Sequence, residues 1–178
     1  MPTARYPING PSAWIGRDFQ QDDRWSFPLA AEDIAEIDRA LASVAGTQWE
    51  QLKATDFPLP GLSEKLAGLA EELENGRGIA RLTGLPVGRY NDEQLRQIWM
   101  GIGSHLGHPL FQDFRGQLMR DIKDTGRDID AEYGHQMIDK SGKAFVSSKA
   151  RTLSNGPLRF HNDRCDVVAL FCIRGAAK

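Results

Sequence analysis

Apolar residues recur at helical spacing in three stretches of this chain. Ile34, Ile37, Leu41 and Val44 form one stripe over residues 31–45, and Gly46 is a natural stop. Leu62, Leu66, Leu69 and Leu73 form a second over 62–74, ended by Asn75-Gly76. Leu95, Ile98, Trp99, Ile102 and Leu106 form a third over 92–106. Asn91 is placed to cap this third helix, with Gln94 reaching back to it, and Gly107, His108 and Pro109 close it. Residues 78–82 are short and apolar and precede Gly84, which predicts a buried strand, and 117–123 predict another. The polar stretch 125–154 reads as a long loop or lid. Residues 158–173 read as extended. Their dense apolar run from Val167 to Ile173 predicts a strand buried on both faces.

Before the first stripe the pattern is different. Residues 1–30 are rich in proline and glycine but hold Trp14, Trp25 and Phe27, which predicts an irregular arm lying on the core through its aromatics. Residues 31–178 then form the domain proper.

Composition narrows the function classes. A chain of 178 residues with 40% hydrophobic and 26% charged residues is an ordinary globular mixture. Its net charge of −2 and the lack of a basic tract argue against a nucleic-acid partner. No apolar run approaches the ~20 residues that span a bilayer. Residues 1–10 lack the basic start and apolar stretch of a secretory signal, so a cytoplasmic location is expected. Cys165 and Cys172 lie an odd number of residues apart in the expected strand and would face opposite ways, so they should not bridge.

The candidate chemistry sits at His161-Asn162-Asp163. In a strand, residues two apart share a face, so His161 and Asp163 project together while Asn162 turns away. One imidazole and one carboxylate side by side are two members of a facial 2-His-1-carboxylate iron site. The simpler alternative is a His–Asp hydrogen bond on a sheet face, because His-x-Asp alone is a weak motif. His105 and His108 lie where histidines satisfy helix-terminal carbonyls. His135 reads as a solvated loop residue. Gln112, Asn155, Asn162 and Arg164 are candidate pocket residues, with turn or surface roles as their alternative.

The sequence around this pair resembles a known family. Residues 156–174, Gly-Pro-Leu-Arg-Phe-His-Asn-Asp-Arg-Cys-Asp-Val-Val-Ala-Leu-Phe-Cys-Ile-Arg, resemble the first metal-ligand strand of the taurine dioxygenase-like (TauD/TfdA) family. Asp56-Phe57-Pro58-Leu59-Pro60, Gly76-Arg77-Gly78, Gly84-Leu85-Pro86-Val87 and His105-Leu106-Gly107-His108-Pro109 match further landmarks of that family in the same order. The resemblance implies an α+β chain: an incomplete double-stranded β-helix, or jelly roll, of the clavaminate synthase-like type, with packed N-terminal helices. It implies Fe(II) as cofactor, held by His161 and Asp163. It also implies 2-oxoglutarate and O2 as co-substrates and a small organic substrate, hydroxylated as the oxo-acid is decarboxylated to succinate.

The family's distal histidine and its 2-oxoglutarate-binding arginine lie downstream of the His-x-Asp strand. Here fifteen residues follow Asp163, none a histidine, and Arg174 is too close to the strand to act as the carboxylate clamp. The expectation is therefore a domain cut before its distal ligand. Taken alone, such a chain should be inactive and prone to self-association through an uncovered strand edge. The rival reading is a truncated, non-catalytic jelly-roll domain with a structural or binding role.

Overall fold

The computed structural model describes residues 7, 9–20, 22–113, 115–133, 137–145, 151–157, 160–163 and 165–175. They fall into two compact units, Met1–Pro109 with Ala169–Lys178, and Leu110–Val168.

The first unit is built on three helices: α1 (Ala31–Ser43), α2 (Ser63–Glu74) and α3 (Asp92–Ser104). Each expected stripe faces inward. Ile37, Leu41, Val44, Leu62, Leu66, Leu69, Leu95, Ile98 and Ile102 are all buried. The α3 cap forms as the spacing predicts: Gln94 N donates to Asn91 Oδ1 at 2.9 Å and Asn91 N to Gln94 Oε1 at 3.0 Å. Two helix starts are satisfied otherwise. At α1, Ala30 has no capping side chain, and its own N–H is taken by Asp33 Oδ2 at 2.7 Å. At α2 no local side chain caps. Glu36, buried on α1, reaches across and accepts from Gly61 N at 2.8 Å and Leu62 N at 2.9 Å.

The connector before α2 is core rather than loop. Phe57 and Leu59 are fully or almost fully buried. Phe57 packs so closely on α3 that a Cβ on Gly101 would meet its ring at 2.4 Å. His105 Nε2 completes this corner with a 2.8 Å hydrogen bond to the Phe57 carbonyl oxygen.

The strand expected at 78–82 is displaced by a few residues. β1 (Ser26–Pro28) pairs in parallel with β2 (Arg81–Thr83), with Phe27 opposite Leu82. The arm is thus not wholly irregular. A strand needs a partner, and β2 finds one inside the arm. The aromatics do fasten the rest. Trp14 and Phe19, then Phe19 and Trp25, meet edge to face at 4.7 and 5.3 Å. The Trp14 indole N–H donates to the Arg77 carbonyl oxygen at 2.8 Å. The Arg77 guanidinium lies over Phe19 and pairs with Asp22 and Glu72.

In the second unit the expected loop at 125–154 carries structure: a short helix, α4 (Ile129–Tyr133), and an antiparallel pair, β3 (Met137–Ile138) with β4 (Ala144–Phe145). Asp139 makes the hairpin turn, accepting from Ser141 N and Lys143 N through Oδ1 at 2.9 and 3.1 Å. Residues 117–123 form no strand. Their two ends are tied by backbone hydrogen bonds, Gln112 N to Gln117 O at one and Lys123 N to Thr152 O at the other.

The strand expected over 158–173 is likewise not formed among the described residues. Val167, Val168, Leu170 and Ile173 are exposed rather than buried on two faces. An apolar run becomes a strand only where a neighbour supplies the ladder, and none of the described strands pairs with it. Phe171 alone is anchored, stacked on Trp99 at 5.0 Å. Cys165 and Cys172 are unbridged, although the strand on which that expectation rested is not formed among the described residues. The fold seen is therefore a mixture of helices and small two-stranded sheets.

Two outcomes test this packing. Gly101→Ala should lose about 1–3 kcal/mol, because the added methyl must displace a buried aromatic ring. Leu66→Asp or Ile98→Asp should cost about 3–5 kcal/mol by burying an unpaired charge. Urea unfolding of each variant measures both, and a parent-like midpoint would show the stripe to be wrongly placed.

A third concerns acid. Burial raises the Asp33 carboxyl, but hydrogen bonds from Lys65 and from Ala30 N–H, with the Lys65 charge, outweigh it and hold the group below its ordinary 3.8. A depressed carboxylate contributes stability that is complete above 3.8 and is lost as pH falls through the folded value. Asp33→Asn should therefore lose less stability than the parent as pH falls from about 4 to below the folded value. Equal slopes in the two proteins would remove Asp33 from the acid response.

Candidate metal centre

His161 and Asp163 stand side by side in the second unit, with His161 Nε2 3.9 Å from Asp163 Oδ1. That separation is too long for a hydrogen bond, so the pair is not locked together as a structural His–Asp contact would be. Two oxygen or nitrogen donors in adjacent positions around a small octahedral cation lie about 3 Å apart. The pair would have to close by about an ångström to share one ion. Their side chains are 35% and 52% exposed, so neither is desolvated in a sealed pocket. In kind, the donors fit two positions of a metal site. Among the described residues, no group of three or more His, Cys, Asp or Glu is placed to hold a metal ion.

The other described candidates hold local positions of their own. Asn162 is exposed between the two. Gln112 closes a local turn, its N–H donating to Gln117 O at 2.6 Å and its Nε2 to Leu110 O at 3.2 Å. Asn155 is exposed in a turn. Arg164 and His135 lie outside the described residues. His105 has the helix-end position expected of it, as the C-cap of α3, and His108 is exposed.

A cavity of about 550 Å³ lies in the first unit instead, between the end of α1 and the start of α3. Asp38, Arg89, Tyr90 and Gln97 line it, and none of the sequence candidates does. Arg89 Nη2 pairs with Asp38 Oδ2 at 2.7 Å, and the Tyr90 hydroxyl donates to Asp38 Oδ1 at 2.8 Å. Burial, then the bond to Asp38, pushes the Tyr90 phenol up to about 12, so it stays neutral. Sequence reasoning missed this group. The available signal was Gln97, a polar residue inside the apolar face of α3.

Comparison with known proteins gives the chain its relatives. It is 26% identical over 172 residues to Taurine hydroxylase-like protein SAT17 of Stachybotrys chartarum, a match over 95% of this chain and 42% of that protein. It is 25% identical over 173 residues to FR-33289 synthase of Streptomyces rubellomurinus, over 96% of this chain and 47% of that protein. The chain is related to taurine hydroxylase-like proteins. It spans less than half the length of the curated relatives it matches. No family model matches it.

The taurine hydroxylase-like similarity agrees with the family resemblance read from the motifs. It also gives those motifs a physical meaning. Phe57 and Leu59 of the 56–60 landmark are core, Arg77 of the next is the clasp of the arm, and His105 ties α3 to Phe57. In this chain Phe57, Leu59, Arg77 and His105 of the upstream landmarks serve the fold.

Proposed function

We propose that the protein to which these residues belong is an Fe(II)- and 2-oxoglutarate-dependent dioxygenase that hydroxylates a small organic molecule. The observation that carries this reading is the adjacency of His161 and Asp163, which are not hydrogen-bonded to each other, in a chain related throughout to taurine hydroxylase-like proteins. His161 would give a neutral imidazole nitrogen and Asp163 a carboxylate oxygen to Fe(II). The bound metal would supply open coordination positions where the oxo-acid and O2 meet beside the substrate. Two donors from one segment set the orientation of that open face. They do so only if a third protein ligand completes the set, which the described residues do not provide. The reading also carries the expectation that 158–173 becomes a barrel strand of a double-stranded β-helix when neighbouring strands pair with it.

The second reading is a non-catalytic jelly-roll domain with a structural or binding role. One experiment separates the two. The protein expressed from its full reading frame is given Fe(II), O2, 2-oxoglutarate and a panel of sulfonates, aryloxy acids and betaines, and succinate is measured. His161→Ala and Asp163→Ala should each lower substrate-coupled succinate release by more than about 100-fold and weaken metal binding, with the circular dichroism unchanged. Succinate release that persists in both variants would overturn the ligand assignment. Absence of release from the parent with every substrate, together with no Fe(II) binding, would favour the non-catalytic domain.

A further inference from the structure

We infer that the groove between the end of α1 and the start of α3 binds a small primary amine, held as its ammonium against Gln97 Oε1 and the carbonyl end of α1. The proposal rests on the first unit alone and is independent of the His161–Asp163 pair.

Gln97 is the deciding residue. It is only 4% exposed, yet it lines the groove. Its Nε2 donates to Thr47 O at 2.8 Å and to Val44 O at 3.3 Å. Turning the amide over would set its oxygen against two carbonyls, so the hydrogen bonds fix which end faces which way. The oxygen is then an acceptor for which no donor is found among the described residues. Among the described residues no fully buried side-chain nitrogen or oxygen lacks a partner. Oε1 is therefore open to the groove rather than sealed in the core. A buried amide with one free acceptor asks for a donor.

The surroundings favour a cationic donor over a neutral one. α1 carries no basic residue in its last turn, so the negative end of its dipole is not offset by a side chain of the helix. Glu93 adds a carboxylate to the rim. Arg89 is the cation of the groove, and its pairing with Asp38 cancels most of its repulsion. An anion is disfavoured, because the α3 N-terminus is already occupied by its own capping box and carries Asp92 and Glu93 in its first turn. Leu41, Ala42 and Ala45 supply an apolar wall for an alkyl stem. A cavity of about 550 Å³ is of the size that holds such a molecule.

The test uses the 178-residue chain labelled with ¹⁵N and titrated with n-butylammonium chloride, with n-butanol at matched ionic strength as the uncharged counterpart. Saturable shifts are expected at the Gln97 side-chain amide and at the Ala42 and Ala45 backbone, with n-butanol weaker by about tenfold or more. Ala42→Phe fills the groove from an exposed helix position and should weaken n-butylammonium by a similar factor while the melting temperature holds. Ala45→Phe serves if the first variant does not fold. The inference is overturned by the absence of saturable shifts, by equal binding of n-butanol, or by parent-like binding in the filled variant.

Discussion

The first unit hangs on one buried carboxylate. Glu36 belongs to α1 but spends both oxygens on α2, accepting the N–H groups of Gly61 and Leu62. A helix begins with donors that its own backbone cannot satisfy, and a negative charge there also suits the dipole. Because α2 has no cap of its own, its start is defined by another helix. A second tie runs alongside: Lys65 of α2 pairs with Asp33 and donates to the Pro28 carbonyl oxygen at 2.7 Å. Helix, helix and strand are thus located by three charged side chains, Glu36, Lys65 and Asp33. The apolar stripes then fill the space between. Gly61 fits this arrangement because a Cβ there would stand 3.0 Å from Glu36 Oε2.

What the sequence made legible follows from range. Helices are written locally, so the three stripes and the Asn91–Gln94 cap could be read directly, to within a residue or two. Strands are completed by partners. Residues 81–83 pair with 26–28, which lie inside a stretch dominated by proline, glycine and isolated aromatics. Residues 158–173 carry strand composition without a ladder among the described residues. Long-range polar anchors were harder still. Glu36 and Gln97 are polar residues beside the stripe positions Ile37 and Ile98, and both are buried. Their burial is possible because each meets backbone groups more than twenty residues away.

The candidate metal pair was legible for the opposite reason. Its chemistry depends on residue type and a two-residue spacing, both local. The geometry that would make it a centre is not local: a third donor, a desolvating wall and paired strands on either side. The landmark motifs upstream of the pair are explained by packing. Phe57, Gly101 and His105 form one corner in which a ring, a missing side chain and a carbonyl bond depend on one another. This corner belongs to the scaffold, while His161 and Asp163 are what the scaffold is proposed to present.

The parallel pairing of β1 with β2 has a consequence for the order in which the chain assembles. Ser26 meets Arg81 across 55 residues, a separation that includes two whole helices. Closing a loop of that length costs entropy that only later contacts return, whereas each helix forms from neighbours in sequence. On this ground the arm is expected to dock after α1 and α2 have formed. Arg77, receiving Trp14, Phe19 and Asp22, acts as the final catch. A nascent chain would carry Trp14 and Trp25 without these partners until residues 77–83 had left the ribosome, which makes this segment the point in synthesis where the arm can dock.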